Sequence, residues 1–164
     1  MSCEICLSKG VPEHLCSFDK TKELPFIDDE CIFRRISNDL PISFDSNKPT
    51  DLHHFFPLKN DSYNRSTISN PNDVLIDDNG INYDNHSIFS ILISDINSIS
   101  KDVPNGKDEY RNFSLKVVYC PLDCNYAHCE IHCFLNGQRI DPKLNPKSAK
   151  LFMRDQLRRL LRFN

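Results

Sequence analysis

The chain has 164 residues, a net charge of −3, 39% hydrophobic and 26% charged residues, an ordinary balance for one globular domain with room for a short appendage. A domain of this length buries roughly two-thirds of its unfolded surface, so it can hold a core without disulfides. No run approaches the ~18 apolar residues of a membrane span, and Met1-Ser2-Cys3-Glu4 lacks the basic and apolar regions of a secretion signal. The expectation is a cytoplasmic protein that makes no use of a membrane. The eight cysteines are then expected as thiols or zinc ligands rather than bridges.

Residues 1–28 read as a cysteine-bearing appendage broken by Gly10, Pro12 and Pro25, and 29–164 as the domain. Cys3-x2-Cys6 has chelate spacing, because a turn of that length brings two sulfurs onto one ion at ~2.3 Å. Cys16, Cys31 and His14 are available to complete a tetrahedron; the alternative is a terminus with unligated thiols. A first strand is expected over 29–36, around Ile32-Phe33-Arg34-Arg35-Ile36. Residues 37–73 are rich in Ser, Asn, Asp and Pro and read as a long irregular stretch with room for one short strand.

Val74-Leu75-Ile76 and Ile81-Asn82-Tyr83 flank Asp77-Asp78-Asn79-Gly80, which reads as a hairpin. Apolar residues at 89, 92, 93, 96 and 99 fit helical spacing, so a middle helix is expected over 86–99. Residues 101–111 read as a polar loop. Leu115, Val117 and Tyr119 alternate as a strand does. From His128 to Leu135 the alternation is complete: His128, Glu130, His132 and Phe134 on one face, Cys129, Ile131, Cys133 and Leu135 on the other. Asn136-Gly137 follows, a strong hairpin signal. Asn145 and Pro146 open a C-terminal helix over 146–163, with Ala149, Met153, Leu157, Leu160 and Phe163 on one side. These elements predict an α+β fold: a small mixed or antiparallel sheet, a middle helix and a C-terminal amphipathic helix.

Two constellations carry chemistry in the second half. Cys120, Cys124, Cys129 and Cys133, with His128 and His132 between them, are dense in soft and borderline ligands. On a strand, residues four apart lie ~13 Å apart, so Cys129 and Cys133 read as core thiols. Cys120 and Cys124, in the loop, remain zinc candidates. His128 beside Glu130, near Asn125, is a minimal acid–base arrangement, with Arg34 or Arg35 to hold an anion; the alternative is a structural histidine. The last 26 residues carry eight Lys/Arg against Asp141 and Asp155, a local +6 that leaves −9 on the rest of the chain. Arg154, Arg158 and Arg162 lie on one stripe, which suits an acidic protein partner, a nucleic acid or the chain's own acidic body; a solvated face is the plain alternative.

From about 29 to 162 the order of features resembles a group of short uncharacterised bacterial proteins. The match lies in Ile32-Phe33-Arg34-Arg35-Ile36, in Pro121-Leu122 followed by Asn125-Tyr126-Ala127-His128, and in the basic closing helix. The chain departs from that group at Cys120 and Cys124, where acidic residues are expected, and in its cysteine-bearing front end. The resemblance singles out Arg34, Arg35, Asn125 and His128 and implies no activity. Two functions are expected from the residues. The first is a binding module, zinc-stabilised and part of a larger assembly. The second is a small enzyme acting on a phosphorylated or nucleotide substrate.

Overall fold

The structure is a computed structural model and describes residues 3–16, 24–39, 56–58 and 62–163. An eight-stranded antiparallel sheet organises it. The strands are β1 (Cys31–Ser37), β2 (Ser62–Arg65), β3 (His86–Leu92), β4 (Ser100–Pro104), β5 (Tyr110–Tyr119), β6 (His128–Leu135), β7 (Gln138–Arg139) and β8 (Arg162–Phe163). Their spatial order is β4-β5-β6-β2-β1-β3-β8, with β7 folded back on β6. Among the described residues three α-helices accompany them: α1 (Cys3–Ser8), α2 (Ile93–Asn97) and α3 (Lys147–Leu160).

Alternation decides the two faces. Phe113, Leu115 and Val117 of β5 oppose Leu135, Cys133 and Ile131 of β6, and nearly all of these are buried in one core with Ile32, Ile36, Phe89 and Ile91. Helix α3 covers that face with Ala149, Met153 and Leu157, which recur at four-residue spacing. Cys129 and Cys133 lie in this core, as the strand alternation predicts. The opposite face carries Asn64, His128 and Glu130, placed together by the opposed pairs Asn64↔His128 and Ser62↔Glu130.

Several expectations are corrected. Residues 86–92 are a seven-residue strand paired along all of β1, and helix follows only at 93–97. The helical pattern had identified buried positions, since Phe89, Ile93, Ile96 and Ile99 are all in the core. Ile88, Phe89 and Ile91 nevertheless suit a strand, and β1 supplies its ladder. Residues 71–75 form a 3-10 turn, and the 74–83 hairpin is reduced to one bridge between Ile76 and Asn82. The supposed polar loop at 101–111 is mostly β4 and the start of β5. The last helix ends at Leu160, and Phe163 leaves its face to pair in β8, its ring 4.5 Å from that of Phe89. Asn145 is buried beside the start of α3 but makes no side-chain cap.

The appendage folds against the loop before β6 and the segment after β2. Cys6, Val11, Leu15 and Cys16 bury with Cys124 and Ala127 in a second small cluster. Tyr126 N donates to Leu15 O at 2.7 Å, and His14 meets Asp73 at 2.6 Å. Cys6 and Cys124 form a disulfide across a sequence separation of 118. The expectation that the cysteines are all thiols or ligands is corrected at this pair. Two cysteines so far apart in sequence carry no local spacing signal, and only the packing of α1 on the 120–127 loop brings them together.

A buried ion pair closes the other end of β2. Arg65 is 2% exposed and Glu30 1%. Arg65 Nε and Nη2 donate to the two oxygens of Glu30 at 2.7 and 2.8 Å, a bidentate fork. Remaining donors reach the carbonyls of Leu24 and Pro25, and Thr67 donates to Glu30 at 2.6 Å. The guanidinium also stacks between Phe26 and Tyr119, 4.3 and 4.8 Å from their centroids. Burial alone would raise the Glu30 carboxyl, but the hydrogen bonds from Arg65 and Thr67 and the guanidinium charge outweigh it and hold it below its ordinary value.

Replacing Glu30 by Gln is expected to cost about 3–5 kcal/mol, because a buried guanidinium loses its counter-charge. A carboxyl lowered in the folded state gives stability that is full above its unfolded value, ~4.3 for Glu, and lost as pH falls through the folded value. Urea unfolding from neutral to acidic pH should show that loss in the native chain and a shallower acid slope in Glu30→Gln. A penalty under ~1 kcal/mol would assign the pair a minor role. The disulfide is expected to contribute about 4–5 kcal/mol on the chain-entropy account for a loop of this length. Reductant, or Cys6→Ser with Cys124→Ser, should lower the urea midpoint to the same value; an unchanged midpoint would refute the bridge.

Candidate functional site

Two sites draw on the loop before β6, one together with β6 and the other together with β1 and β2. Cys120 follows the last residue of β5, and its N–H donates to His128 O at 3.1 Å. The reciprocal contact comes from the His128 ring, whose Nδ1 lies 2.7 Å from the Cys120 carbonyl. A carbonyl only accepts, so Nδ1 carries the proton. Two residues along β6 from Glu130, and on the same face, His132 brings Nε2 to 2.8 Å from Glu130 Oε2. Cys120 Sγ, a Glu130 oxygen and a His132 ring nitrogen lie within 4.8 Å of one another, a cluster that could hold a metal ion.

The surroundings favour the uncharged forms of the Cys120 thiol and the His132 imidazole. Burial pushes the Cys120 thiol up, and the Glu130 charge adds to this against an opposing effect of Arg139. Burial pushes the His132 imidazole down, with Arg139 reinforcing and Glu130 resisting. One thiol, one imidazole and one carboxylate are borderline donors of the kind zinc accepts. Glu130 and His132 also line a cavity of about 370 Å³ shared with Leu58, Arg139 and Asp141.

The second site is a polar cavity of about 330 Å³ lined by Arg34, Arg35, Ser62, Asn64, Asp77 and Asn125 among others. It opens where β2 stops: β1 pairs with β2 only at Ile32 and Phe33. The next two side chains, from opposite faces of β1, both reach the cavity. Arg34 Nη1 donates to Tyr63 Oη at 3.0 Å, with its guanidinium 5.2 Å from that ring's centroid. Arg35 Nη1 donates to Val74 O at 2.7 Å and stacks 3.9 Å over Tyr83. Asp77 accepts from the N–H groups of Asn79 and Ile81 and from Tyr83 Oη. Burial would raise its carboxyl, but these bonds and the charge of Arg35 hold it below the ordinary value.

Asn125 Nδ2 donates to Asn64 Oδ1 at 2.7 Å. That bond leaves Asn64 Nδ2 and Asn125 Oδ1 buried with no partner. Each such atom costs about 1–3 kcal/mol, and native structures keep few of them.

The structure therefore brings Arg34, Arg35 and Asn125 together on one cavity. It places His128 beside them, across the ladder from Asn64, but 5% exposed and bonded to a backbone carbonyl. Glu130 turns to His132 instead of His128. Of the proposed metal cysteines, Cys120 sits in the three-residue cluster. Cys6 and Cys124 are bonded to each other and ligate nothing while oxidised. Cys16 is buried in the small second cluster, Cys31 is half-buried on β1, and Cys3 opens α1 one turn before Cys6. On the basic helix Arg154 Nε donates to Phe56 O at 2.8 Å, and Arg158 and Arg159 both reach Asp155; Arg162 lies exposed on β8.

Sequence reasoning counted His132 among the dense ligands of its segment without singling it out, and it missed Asn64. His132 had a signal: it alternates with Glu130 on one strand face, and two residues apart a strand's side chains meet, whereas four apart they do not. Asn64 had none, lying in a polar stretch where a four-residue strand leaves little pattern. Among the described residues no helix is long and apolar enough to cross a membrane. Compared with protein-family models, with curated proteins and with solved structures, the chain matches none.

Proposed function

We propose that this chain is a zinc-binding module whose metal is held by Cys120, Glu130 and His132. The observation that carries the reading is the convergence of three donor atoms of different chemistry within 4.8 Å. Two come from one strand face and the third from the adjoining strand end, so rigid elements set the spacing. Three protein ligands leave one position of a tetrahedral ion for water or an incoming ligand. Glu130 and His132 border a cavity from which such a ligand can arrive. Arg139, on β7, is a charge set against the cation: it acts on both Cys120 and His132.

Purified protein reloaded with zinc is expected to retain one ion per chain by elemental analysis after dialysis. Cobalt substitution should add a sulfur-to-metal charge-transfer band. Cys120→Ser and His132→Ala should each abolish retention, while Cys31→Ser, a free cysteine elsewhere on β1, should not. Arg139→Gln should tighten binding several-fold by removing a nearby positive charge. Affinity should fall as pH drops, because the thiol must lose its proton to bind. A chain that retains no zinc, or retains it equally without Cys120, refutes the reading.

A further inference from the structure

The polar cavity beside the zinc cluster has its own chemistry. The Asn64–Asn125 amide pair lines it. A single hydrogen bond joins the two amides, from Asn125 Nδ2 to Asn64 Oδ1. It leaves one nitrogen with unspent protons and one oxygen with unspent lone pairs, both buried and both without a partner. Asn64 is 3% exposed and lines the cavity, as does Asn125. A water molecule can satisfy one such atom; a donor and an acceptor side by side match a ligand edge that offers an acceptor beside a donor. Nucleobases carry that edge. Adenine presents N7 next to its amino group, and paired contacts from asparagine are a standard way of reading it.

The same cavity holds Arg34 and Arg35. Their forks are the side chains best suited to a phosphate. Described contacts already orient both, Arg34 through Tyr63 and Phe56 and Arg35 through Val74 and Tyr83, so little side-chain freedom remains to be lost on binding. Asp77 and Asp78 also line it. They offset the two guanidiniums, so recognition must come from directed hydrogen bonds more than from long-range attraction. The volume is about 330 Å³, at the small end of ligand cavities, which suits one nucleotide and not a dinucleotide or a strand.

We propose that this cavity binds a mononucleotide, with its base edge on Asn64 and Asn125 and its phosphate on Arg34 and Arg35. The proposal does not depend on zinc.

Calorimetric titration of the full chain with AMP, CMP, GMP and UMP, with the matching nucleosides and with inorganic phosphate, tests it. At least one mononucleotide is expected to bind at one per chain, at least tenfold tighter than its nucleoside and than phosphate. Arg34→Gln should weaken the nucleotide tenfold or more and leave the nucleoside unchanged. Asn125→Ala should weaken both tenfold or more. Arg159→Gln, at an exposed position on α3, should leave all affinities unchanged. Because these substitutions touch buried contacts, the unmodified chain provides a second reading: the side-chain amide signals of Asn64 and Asn125 should shift on titration. The proposal is overturned if no mononucleotide binds, if phosphate binds as tightly as the nucleotide, if both variants bind normally, or if the two amide signals stay in place.

Discussion

Arg65 puts a full positive charge into the interior beside the last pairing of β1 with β2, and the surrounding chain is arranged to answer it. Glu30 meets it bidentately, the carbonyls of Leu24 and Pro25 take further donors, and Phe26 and Tyr119 sandwich the guanidinium. A hydrophobic pair of similar volume would stabilise as well or better. What the ion pair adds is registration. Arg65 sits on β2 while its partners come from the segment before β1 and from the end of β5, so a slip of either strand would leave a charge buried alone. With that end locked, β2 can be four residues long and still sit between β1 and β6.

The shortness of β2 has a consequence at its other end. Where its ladder with β1 stops, two consecutive arginines of β1 remain paired with β3 but have no partner on the β2 side, and they reach one opening from both faces of the sheet. Ser62 and Tyr63 stay paired with β6 there, so the cavity opens between β1 and a strand that is held from its other side and pinned at Arg65.

Legibility in the sequence followed the range of the interactions. β6 and the Asn-Gly hairpin could be read residue for residue, since alternation and turn chemistry are local; Asn136 and Gly137 both take positive φ, 49° and 82°, as that turn requires. The apolar face of α3 was equally plain. β3 was misread because Phe89, Ile93, Ile96 and Ile99 satisfy helical spacing while sitting partly on a strand and partly on a short helix; burial was legible and backbone was not. At the site, Arg34, Arg35 and Asn125 were legible as residues, but their convergence was not, because it depends on where β2 ends. The Glu30–Arg65 and Cys6–Cys124 pairs are set by packing across 35 and 118 positions, and no local pattern announces them.

The loop between β5 and β6 connects all of this. Cys120 belongs to the cluster that could hold a metal ion, Leu122 and Asn125 line the polar cavity, Cys124 carries the disulfide, and Tyr126 is held by Leu15. Loops are ordinarily the mobile parts of a fold. This one is tied at its start by the Cys120–His128 backbone bond, across its middle by the Leu122–Asn125 bridge, and from above by α1 through Cys124. Each tie removes conformations that would move the Asn125 amide away from Asn64. An unpaired buried amide oxygen is tolerable only when the backbone beneath it has nowhere else to go. The N-terminal segment therefore does more than extend the domain: by packing Cys6, Leu15 and Cys16 against Cys124 and Ala127, it supplies the apolar contact that keeps a polar site in shape.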